Sequence, residues 1–89
     1  LLVDTSKMLN IYLMAALQGN LELLRRMPES LNTWTCHYAA RGGQLEVLRW
    51  ARENGAPWDE RTCANAAKGG YLEVLRWARE NGAPWDDDT

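Results

Sequence analysis

The chain has 89 residues, 46% apolar and 25% charged, which fits a single globular unit and excludes a disordered charged tail. Ten Lys and Arg against twelve Asp and Glu leave a net charge of −2, the wrong sign for holding nucleic acid by bulk charge. No stretch approaches the roughly 18 consecutive apolar residues of a membrane span.

The chain opens Leu1-Leu2-Val3-Asp4, with no Met and no charged leader, so we expect no signal peptide and a portion of a longer array. Asp4, Thr5 or Ser6 is placed to cap a helix running to about Leu17. A second helix spans Leu21 to Met27, and Pro28 ends it. From Thr33 a short helix carries the small apolar residues Cys36, Ala39 and Ala40 at i, i+3 and i+4, one face. Gly42-Gly43 breaks it, with glycine supplying positive φ for a tight turn. The next helix starts at Leu45 and ends before Gly55, which suits the left-handed position after a helix. Asp59 is an N-cap with Glu60 behind it, opening a helix to about Lys68 with Cys63, Ala66 and Ala67 on one face. After Gly69-Gly70 the last helix covers about Leu72 to Asn81. Its apolar stripe is Leu72, Val74, Leu75, Trp77 and Ala78, with Glu73, Arg76 and Glu80 opposite. No segment alternates as a strand does.

These elements are copies. Leu45–Asp59 and Leu72–Asp86 both read LEVLRWARENGAPWD, an offset of 27, and 21 of 27 positions are identical between Thr33–Asp59 and Glu60–Asp86. Ala15–Leu24 matches Ala39–Leu48 more loosely at an offset of 24. The organisation is therefore one repeat domain over 1–89. It comprises a divergent first unit (1–32), two close units (33–59 and 60–86) and the beginning of a fourth at 87–89. The expected fold is all-α, a solenoid of stacked antiparallel helix pairs, because one such unit cannot bury its own apolar face.

The run Cys36-His37-Tyr38-Ala39-Ala40-Arg41-Gly42-Gly43-Gln44-Leu45-Glu46-Val47-Leu48 resembles the middle of the ankyrin repeat, T-P-L-H-x-A-A-x-x-G-H-L-E-V-V. His37 falls on the motif's histidine, and Gly55-Ala56-Pro57-Trp58-Asp59 falls on its G-A-D-V-N. An ankyrin unit has about 33 residues. The shortfall here lies at the β-hairpin finger, so the resemblance implies ankyrin-like helix pairs with shortened fingers. The unit is similar to the short W-A-R-E-N-G-x-P-W-D repeats in long arrays of giant DNA viruses, oomycetes and brown algae. The resemblance also implies that His37 is a structural hydrogen-bonding residue, and that partners bind on a concave face of fingers and first helices.

No arrangement here points to catalysis, a cofactor or a metal. Cys36, His37 and Cys63 are too few for a closed zinc site, and Cys36-His37 are adjacent, so they do not face one ligand. A Cys36–Cys63 disulfide is not expected, because equivalent points on stacked helices lie about 8–10 Å apart. Asp86 matches the capping Asp59, and Asp87 and Asp88 would fill a first helical turn rather than hold a cation. Trp50, Trp77, Trp58 and Trp85 recur in register and read as packing residues, Trp58 filling space left by the lost finger.

The two close units differ at six positions: Thr33/Glu60, Trp34/Arg61, His37/Ala64, Tyr38/Asn65, Arg41/Lys68 and Gln44/Tyr71. Five lie on or at the cap of the first helix. Trp34, Tyr38 and Arg41 follow at i, i+4 and i+7, and Arg61, Asn65 and Lys68 repeat that spacing one unit on. We expect these six to form one strip that binds a protein or peptide, acidic in view of Arg41, Arg61 and Lys68. Neither nucleic acid nor membrane is expected as a partner. The expected function is a non-catalytic interaction scaffold; the alternative is an assembly subunit that docks by its solenoid ends. With two cysteines, the composition reads as intracellular, in the cytoplasm. Leu72 and Leu75 are expected to be incompletely covered, and Trp50 to be better covered than Trp77.

Overall fold

A computed structural model describes residues 5–27 and 31–85, with side chains from Asn10 onward. The described residues form six α-helices and no strand: α1 Thr5–Gln18, α2 Leu21–Arg26, α3 Thr33–Arg41, α4 Leu45–Glu53, α5 Glu60–Gly69 and α6 Leu72–Glu80. Asp4, Pro28 and Asp86–Asp88, read above as caps and breakers, lie outside the described residues.

Helix boundaries follow local chemistry. Asn32 Oδ1 accepts from the N–H groups of Trp34 (2.8 Å) and Thr35 (3.3 Å), and Thr35 Oγ1 accepts from the Asn32 N–H (3.1 Å). This reciprocal box satisfies three donors at the start of α3. Asp59 caps α5 more simply, its carboxylate accepting from the Arg61 N–H at 2.9 Å with no reciprocal bond from Thr62. α4 and α6 end alike: the side-chain amides of Asn54 and Asn81 donate to the carbonyls of Trp50 and Trp77, both at 2.8 Å. Gly55 and Gly82 follow at φ +89°.

The glycine pairs behave less uniformly than the sequence reading supposed. Gly43 and Gly70 take positive φ, at +70° and +74°, whereas Gly42 sits at φ −89° and Gly69 belongs to α5. At Gly42 the requirement is space instead. A Cβ on Gly42 would strike the Leu17 carbonyl, and one on Gly69 would meet the Tyr71 ring.

Packing runs along the first helices. α1 packs on α3 and α3 on α5, while α2, α4 and α6 each lean on the first helix of their own unit. Small residues make the close row possible: Ala15, Ala16, Cys36, Ala39, Ala40, Cys63 and Ala66 are all buried. Leu24, Val47 and Leu48 fill the space between first and second helices. Burying side chains of this size contributes roughly 1.5–3 kcal/mol each. Trp58, Leu75 and Trp77 join this main core to a second cluster of Cys63, Ala78 and Ala83.

Trp50 and Trp77 are both half-buried. Trp58 reaches from the loop after α4 and meets Trp77 edge-to-face at 5.7 Å, so the preceding unit contributes to the cover of Trp77.

Candidate functional site

The middle of α3 is joined to the N-cap of α5 by a polar contact. His37 Nε2 lies 2.8 Å from Asp59 Oδ1. An ionised carboxylate only accepts, so Nε2 carries the proton and donates. His37 is 4% exposed, and the edge of Trp34 packs against its ring, with centroids 5.2 Å apart at 82°. His37 is thus a structural tie between the second unit and the cap of the third, the role expected of it. Burial pushes the Asp59 carboxyl up, but the bonds from His37 and the Arg61 N–H, with their charges, outweigh it and hold it below its usual value.

Above this tie lies a trough of about 300 Å³ between α3 and α5, lined by Trp34, His37, Tyr38, Arg41, Arg61, Ala64, Asn65 and Lys68. All six residues read from the sequence as a strip line it. The i, i+4, i+7 spacing puts each trio on one helix face, and the α3–α5 contact brings the two faces side by side. Trp34 is 50% exposed, Tyr38 and Asn65 are half-buried, and the three cations are exposed. The Arg61 guanidinium lies 5.9 Å from the Trp34 ring centroid, within cation–π range. A second hollow lined by Arg41, Asn65, Lys68 and Gly69 continues the trough toward the C-terminal ends of both helices.

The electrostatics are one-sided. Among the described residues the ion pairs are Arg26–Glu22 at 3.6 Å and the His37–Asp59 contact. Arg41, Arg61 and Lys68 form no ion pair there and no carboxylate lines the trough, although the charge of Arg61 acts on the capping Asp59. Arg41 and Lys68 also stand in the last turns of their helices, where a cation favours the helix dipole. That accounts for charge at two of the three positions, but not for Arg61 at a helix start.

Cys36 and Cys63 are free thiols, each 0% exposed. Burial pushes the Cys36 thiol up to about 11, with Asp59 adding and Arg52 opposing; burial raises Cys63 as well. Raised, buried thiols are poor nucleophiles and poor ligands. No group of three or more His, Cys, Asp or Glu gathers among the described residues. No helix among them is long and apolar enough to cross a membrane.

Sequence reasoning missed two features. The capping box at Asn32 was legible as Asn-x-x-Thr, one offset of 27 before Asp59. The pairing of His37 with Asp59 had no local signal, because the residues are 22 positions apart and meet only when α5 packs on α3.

Comparison of the chain with family models, with curated proteins and with solved structures gives no match.

Proposed function

We propose that the chain is a non-catalytic protein-binding module whose trough between α3 and α5 holds an acidic segment of a partner protein. The observation that carries this is the convergence of Trp34, Tyr38, Arg41, Arg61, Asn65 and Lys68 on one trough, whose three cations form no ion pair among the described residues. Trp, Tyr and Arg dominate binding hot spots, because they bury large area and hydrogen-bond at little entropic cost. Exposed cations attract an acidic partner and raise its on-rate.

The same reading makes the helix pairs three turns of an ankyrin-like solenoid. Close packing along the first helices, with the second helices leaning mainly on the first helix of their own units, bends such a row toward the first-helix side. The trough then lies on the inner face, where solenoids present their binding surface. Divergence between the two close units supports it as well, since it gathers on the trough and leaves the second helix unchanged.

The test uses the full chain, an acidic extended peptide and a basic control, read by tryptophan fluorescence and calorimetry. Tyr38→Ala and Arg41→Ala each weaken binding of the acidic peptide by about 30-fold, the equivalent of a 2 kcal/mol hot spot. Glu46→Ala and Arg76→Ala, on the exposed faces of α4 and α6, leave it unchanged. The reverse pattern, or equal affinity for the basic control, overturns the reading.

A further inference from the structure

The three trough cations are not alike. Arg61 is engaged: its guanidinium stands 5.9 Å from the Trp34 ring centroid, and its charge acts on the capping carboxylate of Asp59. Arg41 and Lys68 enter no ion pair and no ring contact among the described residues. They hold equivalent positions 27 residues apart, in the last turns of α3 and α5. These helices pack side by side, with axes about 8–10 Å apart. The hollow lined by Arg41, Asn65, Lys68 and Gly69 lies at that end of the trough, with no carboxylate on it.

Two like charges on one hollow repel each other, and the helix ends offset only part of that repulsion. Each helix C-terminus carries about −0.5 of an elementary charge, so the two dipoles balance about one of the two positive charges. A net positive charge of about one is left. The side chain beside it is the half-buried Asn65, whose amide brings two further donors. Arg61 adds little at this end. Seven residues of helix separate it from Lys68, about 10 Å, which exceeds the screening length of about 8 Å at physiological salt. The hollow is thus a local anion site in charge and in donors, set apart from the aromatic end of the trough.

We propose that the Arg41–Asn65–Lys68 hollow is a subsite for a phosphoryl group, so that the trough takes a partner segment phosphorylated on one side chain. The proposal rests on the reading of the trough as the site of an acidic segment, and it states which acid this end takes. A carboxylate brings one charge and two oxygens on one carbon, which satisfies one cation. A phosphoryl group brings a charge of about −1.5 to −2 at neutral pH and three acceptor oxygens. Two of these match the planar fork of Arg41, and the third is open to Lys68 and the Asn65 amide. Trp34 and Tyr38, further along the same trough, meet the residues that flank the phosphorylated one. A nucleic-acid backbone carries such charges along its whole length, and the chain's net charge of −2 opposes it.

The experiment is calorimetry of the full chain, at about 150 mM salt so that distant charges are screened, with one acidic peptide in four forms. Its central residue is serine, phosphoserine, phosphotyrosine or glutamate. At least one phosphorylated form is expected to bind about tenfold tighter than the serine form, and the glutamate form about twofold tighter at most. Lys68→Gln, an exposed change, lowers the phosphorylation gain to about twofold, whereas Arg61→Gln weakens every form and leaves the gain in place. Binding of the serine form with no gain on phosphorylation overturns the phosphoryl subsite and leaves the acidic-segment reading standing. So does a gain that Lys68→Gln spares, or that Arg61→Gln lowers as much. Failure of all four forms to bind overturns both. Two further probes check the source of the phosphoryl group. A single-stranded oligonucleotide that binds as tightly as the phosphopeptide, or inorganic phosphate that displaces the phosphopeptide at equal concentration, overturns its assignment to a partner's side chain.

Discussion

The second and third units share 21 of 27 residues, yet the same side chains have different fates in them. Leu48 is 0% exposed and its copy Leu75 is half-buried; Leu45 is half-buried and its copy Leu72 is 69% exposed. The helix sequence that carries them is identical in the two units, so it does not decide burial. The neighbour decides it. The first helices tell the complementary story: Cys36 and Cys63 are both 0% exposed, because α5 is covered on its inner side by α3. Each unit therefore completes the one before it.

The largest effect that can break this comparison is at the two leucines. Leu48→Ala empties a closed site and costs about 3–5 kcal/mol, whereas Leu75→Ala, already partly solvated, costs roughly half as much. Equal losses in urea titration would remove the neighbour effect.

Next come the two caps. Asn32 and Asp59 occupy equivalent places, but Asp59 also holds His37. Asn32→Ala costs about 1 kcal/mol, a usual capping loss. Asp59→Ala costs about 2–3 kcal/mol, because the buried His37 loses its charged acceptor. The pH dependence has a definite sign. The Asp59 carboxyl is held below its usual value in the folded chain, so its stabilising contribution is full above the ordinary carboxylate range. It is lost as pH falls from that range through the lowered folded value. Stability measured from pH 7 to pH 3 in the parent and in His37→Ala checks this; the acid loss should be shallower in the variant.

The smallest contrast lies in the loops. The Arg52 guanidinium sits 4.3 Å over the Trp58 ring and donates to the Ala56 carbonyl at 2.6 Å. Arg79 sits 4.1 Å over Trp85, with no such bond among the described residues. Arg52→Ala is expected to cost about 1–1.5 kcal/mol and Arg79→Ala about 0.5 kcal/mol, from a cation–π contact with and without a hydrogen bond. A reversed order would show that Trp85 is better anchored than its exposure implies.

Much of this was legible in the residues. Helix positions followed from Asp59, the Gly-Gly pairs, Gly55 and Gly82, because caps and breakers act over three or four residues. The trough strip followed from spacing on α3 and α5 together with the repeat offset, which supplies the lateral register that a single helix lacks. Three things were not legible. The His37–Asp59 tie depends on inter-unit packing. The division of labour within Gly42-Gly43 depends on how close the Leu17 carbonyl comes. The contact of Trp58 with Trp77 depends on the path of the loop after α4.

The paired thiols have a use in measuring how the row comes apart. Cys36 and Cys63 sit at the same place in successive units, and neither meets solvent while its unit is closed. A thiol reagent in excess then labels each only during an opening, and the labelling rate reports the free energy of that opening. Burial raises the pKa of both thiols while their units are closed, and once opened both are ordinary cysteines, so a faster Cys63 reports an easier opening of its unit. Two atoms one unit apart thus read out the gradient of cooperativity along the chain, without any probe being added.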